Sequence, residues 1–209
     1  MGEQEQKRPV LRLASASPRR RQLLDLIGVP HLVTPADIDE TPRPAESGRD
    51  YVLRLAQDKA LAVRARHGDL PVLAADTTVH VDGAILEKPR DEADCLRMLG
   101  LLSGRRHEVF TGLCLAGAHS PALSIACSEV EFRKIAPDEM RAYWASGEPQ
   151  GKAGAYAIQG LGAVFVAGIS GSYTGVMGLP LFETAELLRR HGVPVWNGQL
   201  PAGGAPGDH

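Results

Sequence analysis

The chain has 209 residues, a net charge of −2, 44% hydrophobic residues and only 5% aromatic ones. This suits one globular domain, or two lobes sharing a sheet, with a true core. It argues against bulk electrostatic binding of nucleic acid and against an aromatic platform for single strands. The three cysteines, Cys95, Cys114 and Cys127, fit neither a metal pattern nor a disulfide framework. With a polar N-terminus and no apolar run near the ~20 residues of a membrane span, a cytoplasmic protein is expected.

Leu11, Leu13 and Ala14 read as a short buried strand. Ser15, Ala16 and Ser17 follow, with Ser17 as expected N-cap and Pro18 opening a helix that carries Leu23, Leu24 and Ile27 inward and ends at Gly28. Arg19, Arg20 and Arg21 occupy its first turn, where cations oppose the helix dipole by roughly 0.3–1 kcal/mol each. Two readings stand: solvent-exposed arginines, or a turn that holds a phosphate chain with Ser15 and Ser17 as added donors.

A strand is expected over 31–35, then an acidic, proline-rich loop with Asp37, Asp39 and Glu40. Those carboxylates are either a solvated loop or a metal-binding cluster. A helix starts at Ser47, with Asp50 completing a loose capping box, and runs to His67. Lys59 falls within its apolar stripe, so it either snorkels outward or reaches into a cleft to meet an anion. The run PVLAADT (71–77) predicts a strand buried on both faces and ending in Asp76 and Thr77. A carboxylate there needs a cation, a metal or water, and strand ends are where α/β sheets place ligands. Asp76 is therefore the leading catalytic candidate.

Asp82-Gly83 signals a type I′ hairpin whose return strand brings Lys88 back toward Asp76. A helix capped by Asp91 and ended by Gly104 follows. Two long segments, 107–117 and 123–135, predict an antiparallel pair, and His107 is weighed as a structural residue before a catalytic one. A short helix over 137–147 turns Met140, Tyr143 and Trp144 inward. Residues 151–166 read as a glycine-rich loop, with Lys152, Tyr156 and Gln159, entering an Ala163–Val166 strand. A last helix opens at Pro180 and packs through Phe182, Leu187 and Leu188. A single domain is expected over 10–195, with flexible tails at 1–9 and 196–209.

The stretches SASPRR (15–20), AADT (74–77), EKP (87–89), KAGAYAIQG (152–160) and VMGLP (176–180), in this order and spacing, resemble the Maf family of nucleoside triphosphate pyrophosphatases. Gly151 and Gly175 depart from the residues common in that pattern. The resemblance implies an α/β fold related to the inosine triphosphate pyrophosphatases. It has an elongated mixed central sheet, flanked by helices in two lobes with a deep cleft between them. It implies hydrolysis of the α–β phosphoanhydride of a nucleotide with a divalent metal, Mg²⁺ or Mn²⁺. Asp76 matches the family's proton acceptor; Arg19, Thr77 and Gln159 match its substrate-selecting positions; Ser15, Arg20, Glu40, Lys59 and Lys88 match other active-site positions. On this reading Glu40 and Asp76 bind the metal, while Arg19, Arg20, Lys59 and Lys88 hold the triphosphate.

Gln159 resembles the branch that acts on dTTP and UTP, and an amide offers both donor and acceptor to a uracil or thymine edge. House-cleaning of modified pyrimidine nucleotides is a related expectation. The competing expectation is a non-catalytic nucleotide-binding regulator of cell division or septum formation. Homodimers occur in the family, which makes a homodimer one of the open assembly states, and no interface is legible in the residues.

Overall fold

The structure, a computed structural model, describes residues 8–198; of the tails expected at 1–9 and 196–209, residues 1–7 and 199–209 lie outside the described residues. The chain begins with β1 (Leu11–Leu13), α1 (Pro18–Leu26), β2 (His31–Val33), α2 (Gly48–Arg66), β3 (Val72–Val81) and β4 (Ala84–Leu86). It continues through α3 (Glu92–Leu102), β5 (Arg106–Ala116), β6 (Ala122–Phe132), α4 (Pro137–Ala145), β7 (Val166–Ser170), α5 (Tyr173–Val176) and α6 (Leu181–Arg190). The strands form one sheet in the order β2-β1-β3-β5-β6-β7, with β4 added to the edge of β3. β1 pairs parallel with β2 and β3, and the remaining pairs are antiparallel, so the sheet is mixed.

Local signals explain the element ends. Ser47 accepts a hydrogen bond from the Asp50 N–H, and Asp91 accepts one from the Asp94 N–H. Asp82 and Gly83 both have positive φ, 50° and 80°, as a type I′ turn requires. Ser17 stands at the N-cap of α1, but its hydroxyl makes no capping bond; the Ser15 hydroxyl instead accepts from the Ser17 N–H at 3.1 Å.

The long strands β3 and β5 carry two cores. Leu73, Ala75, Leu113 and Leu115 pack with β1, α1 and α6 at one end. Val79, Val81 and Val109 pack with α3, α4 and Phe132 at the other. The polar residues Asp76, Thr77, Thr78 and Thr111 sit between them. Along β3, side chains alternate between faces: Val72, Ala74 and Asp76 face α2, which packs there through Ala56, Ala60 and Val63. Gly112, opposite Asp76 in the β3–β5 ladder, lies under the α2 backbone. A Cβ there would stand 2.5 Å from the Val52 carbonyl oxygen, so only glycine lets the helix come this close.

Three expectations from the sequence do not hold. Asp76 is not at a strand end: β3 continues to Val81 because Thr77, Thr78 and Val79 keep pairing with β5. The expected Ala163–Val166 strand is a 3₁₀ turn, Leu161–Phe165, and β7 begins only at Val166. Phe182 is 76% exposed; the moment of α6 turns Leu187 and Leu188 inward instead. Beyond α6, the Trp196 and Asn197 N–H groups donate to the Ile27 and Gly28 carbonyls, tying residues 196–197 to the end of α1.

Candidate active site

A gap in the sheet makes the site. One edge of β3 pairs with β1 only through Val72 and Leu73, and with β4 only from Val79 to Val81. Between these pairings the edge of β3 faces a cleft of about 790 Å³. Asp76 therefore meets a ligand-accessible space although it lies in mid-strand. All nine residues expected at the site line this one cleft: Ser15, Arg19, Arg20, Glu40, Lys59, Asp76, Thr77, Lys88 and Gln159.

Lys59 projects from α2 onto Asp76, with Nζ 2.6 Å from Asp76 Oδ1 and 2.7 Å from Glu40 Oε1. Only 6% of Lys59 and 7% of Asp76 is exposed. A buried ammonium without partners costs several kcal/mol, and two carboxylates offset that here. Lys59 thus meets anions, and those anions are the protein's own. Burial pushes the Asp76 carboxyl above its ordinary range, against the pull of Lys59 and Arg20. Burial also lifts Glu40, but Lys59 and Lys88 outweigh it and hold its carboxyl below the ordinary range. Lys88 Nζ lies 3.5 Å from Glu40 Oε2, so the hairpin delivers Lys88 to Glu40, which joins it to Asp76 through Lys59.

The acidic loop is divided by use. Asp39 accepts from the Thr41 N–H and hydroxyl at 2.9 and 2.6 Å, closing a local turn, and Asp37 is exposed. Glu40 alone of the three lines the cleft. Its backbone carbonyl accepts from the Tyr51 hydroxyl at 2.9 Å. Arg54, paired with Glu46, also donates to the Thr41 carbonyl, so α2 holds the loop from two points.

On the opposite face of β3, Arg20 donates to the Gly178 carbonyl at 2.8 Å, the Ser15 hydroxyl at 3.3 Å and Thr77 Oγ1 at 3.2 Å. Burial lowers its pKa from the ordinary guanidinium value, against the pull of Asp76 and Glu40. Thr77 Oγ1 also lies 2.9 Å from Thr111 Oγ1, and Thr111 donates to the Gly175 carbonyl at 2.8 Å. The three arginines separate: Arg19 lines the cleft, Arg20 braces its wall, and Arg21 is exposed and does not line it. Gln159 lines the cleft with a buried Oε1 that has no hydrogen-bond partner. An unpaired buried acceptor is costly.

Tyr51 and Glu87, which the sequence does not single out, also line the cleft, as does Lys152 of the glycine-rich loop; Thr111 stands behind the lining, against Thr77. No local signal marks Thr111, in a strand that also holds Arg106, His107 and Glu108, or Tyr51. His107 lies outside the cleft lining, 3% exposed, with Nε2 2.9 Å from the Tyr156 hydroxyl. Burial lowers its pKa to about 4, so it is a neutral core residue.

Among the described residues no three His, Cys, Asp or Glu side chains gather as a metal cage. The donor set nonetheless fits a divalent ion of the kind held by one or two carboxylates, with water and substrate phosphates completing the shell. Glu40 and Asp76 already converge on one positive charge, the Lys59 ammonium.

The family model described as Maf-like protein matches residues 10–191. The chain belongs to the Maf family. Maf relatives include a dTTP/UTP pyrophosphatase of Anaeromyxobacter sp. (strain Fw109-5), 52% identical over 203 residues, with 93% of this chain and 97% of that one covered. Another, from Sphingopyxis alaskensis, is 56% identical and covers 90% of this chain and 99% of its own length. A third, from Bordetella parapertussis, is 53% identical, with 90% and 95% covered. These two also carry the name dTTP/UTP pyrophosphatase. Among solved structures, the Ham1 protein of Staphylococcus aureus matches with TM-score 0.45 and 16% identity, covering 58% of this Maf chain and 71% of that one. That likeness is too slight to bear on fold or activity.

Proposed function

We propose that this Maf protein hydrolyses dTTP and UTP to the nucleoside monophosphate and pyrophosphate. The observation that carries the reading is the buried Asp76, paired with Lys59 and open to the cleft through the gap in the sheet. The names of the relatives support the same activity. Arg19, Arg20, Lys59 and Lys88 supply positive charge for a triphosphate. Phosphoryl chemistry gains mainly from positioning and charge stabilisation, so no nucleophilic side chain is needed. Asp76 accepts the proton of the attacking water as its oxygen bonds to phosphorus and the α–β bridge breaks. A carboxylate raised above its usual range is a stronger base for that task. When bound, Mg²⁺ or Mn²⁺ held by Glu40 and Asp76 supplies further neutralisation of the phosphate oxygens. The Gln159 amide, on the cleft lining, carries both a donor and an acceptor, which supports selection of a pyrimidine edge.

A regulator without catalysis needs the cations but not a buried base, so the carboxylates favour the enzyme. The test is a panel of dTTP, UTP, CTP, modified pyrimidine triphosphates and 7-methyl-GTP with Mg²⁺, with products separated by anion exchange. Monophosphate and pyrophosphate from dTTP and UTP are expected. Absence of turnover, or release of orthophosphate instead, overturns the reading. The same reading takes 10–195 as one catalytic domain, forming a cytoplasmic homodimer; sedimentation equilibrium and cell fractionation test those points.

A further inference from the structure

The Gln159 carbonyl oxygen has no hydrogen bond to hold it. Its place depends on the backbone on either side, and two side chains outside the cleft lining hold that backbone. The Tyr143 hydroxyl, from α4, accepts from the Ala157 N–H at 3.0 Å and donates to Glu148 Oε1 at 2.7 Å. Glu148 Oε1 also accepts from the Gly162 N–H at 2.9 Å, and Oε2 accepts from the Leu161 N–H at 2.9 Å. The 157–162 segment is thus tied two residues before Gln159 and two and three residues after it. The contact is close: a Cβ on Gly160 would stand 2.0 Å from Glu148 Oε2, and one on Gly162 would stand 2.6 Å from Tyr143 Oη. A carboxylate that accepts backbone N–H bonds is held firmly, because these bonds are charge-assisted.

We infer that Tyr143 and Glu148 are positioning residues that set base selection, by clamping the loop that presents Gln159 to the nucleobase. The inference rests on the pyrimidine-nucleotide reading above. Selection by hydrogen bonding depends on placement, since a shift near 1 Å costs on the order of 10²-fold. The phosphate-holding residues lie on other elements, so loosening the clamp should weaken selection while leaving the chemical step intact.

The experiment compares Tyr143→Phe, which removes one hydroxyl, and Glu148→Gln, which keeps the shape, by steady-state kinetics on dTTP, UTP and CTP. Thermal melting of each variant accompanies the kinetics. The expected result is a rise in KM for dTTP and UTP, with kcat within about threefold of wild type. The dTTP-over-CTP ratio of kcat/KM should fall by about tenfold. In a Gln159→Ala background, Tyr143→Phe should change that ratio no further, as residues acting through one contact are non-additive. Equal loss on every nucleotide, or an unchanged ratio in both folded variants, overturns the clamp. If Gln159→Ala loses discrimination while the clamp variants keep it, the clamp alone fails. If Gln159→Ala also keeps it, the base-selection reading fails with it.

Discussion

Replacing Gly112 with alanine tests whether the spacing between α2 and β5 sets the Lys59–Asp76 pair. The new Cβ would lie 2.5 Å from Val52 O, 2.6 Å from Val52 C and 2.9 Å from Leu53 N, where ordinary contact begins at 3.4 Å. All three obstacles are backbone, so no side chain can swing aside, and the helix must lift by about 1 Å. Overpacking of this kind costs about 1–3 kcal/mol. For a domain of this size, that lowers Tm by about 2–12 °C. Lys59 is two turns along α2 on the same face, so it rises with the helix and its 2.6 Å contact to Asp76 is lost. A displacement near 1 Å at a reacting group costs on the order of 10²-fold in kcat/KM. Circular-dichroism melting and pyrophosphate release from dTTP measure the two effects. Gly100→Ala is the control: nothing lies within 4 Å of its Cβ, and removing a glycine from α3 should add about 0.5–1 kcal/mol. A Gly112→Ala protein with wild-type melting and turnover would refute the argument that helix spacing places Lys59.

Asp76→Asn should lower kcat by about 10²–10⁴-fold, the usual contribution of a general base; an unchanged kcat would remove Asp76 from the reaction. Lys59→Met should be of similar severity, and the double variant little worse than either single one, because the two side chains act as a unit. Multiplying losses would show independent roles. His107 titrates near 4 when folded, against 6.5 when exposed, so the unfolded chain takes up its proton first as pH falls. Its contribution is fully present above about pH 6.5, and up to about 3 kcal/mol is lost between there and pH 4. Urea unfolding at pH 7 and 4.5 should show that loss in wild type and not in His107→Gln; equal pH dependence in both would refute it.

The sequence reveals what depends on neighbours along the chain. Ser47, Asp91 and Asp82-Gly83 each act within three residues, and the caps and turn stand where the residue types place them. Lys59 in an apolar stripe is legible as an anomaly, because a charge there must find a partner. The end of β3 is not legible, because Thr77 and Thr78 look like a boundary, while their pairing with β5 is a long-range matter. The short α5 and the exposure of Phe182 likewise follow from packing that no local pattern carries. The clamp on the Gln159 loop is invisible for the same reason: its bonds join residues up to 14 positions apart, between elements whose mutual placement only folding decides.

The ladder joining β3 to β5 runs without interruption from Val72↔Ala116 to His80↔Glu108, straight past the cleft. A bivalve shell needs a hinge at its waist, and here the waist is the stiffest part. Swinging the halves apart would strain the pairings at Asp76↔Gly112 and Thr77↔Thr111, the ones beside the cleft. Entry and exit of a nucleotide are therefore governed by side chains and loops at the mouth. Liganded and empty molecules should superpose along both strands, with amides in the middle of the ladder among the slowest to exchange with solvent.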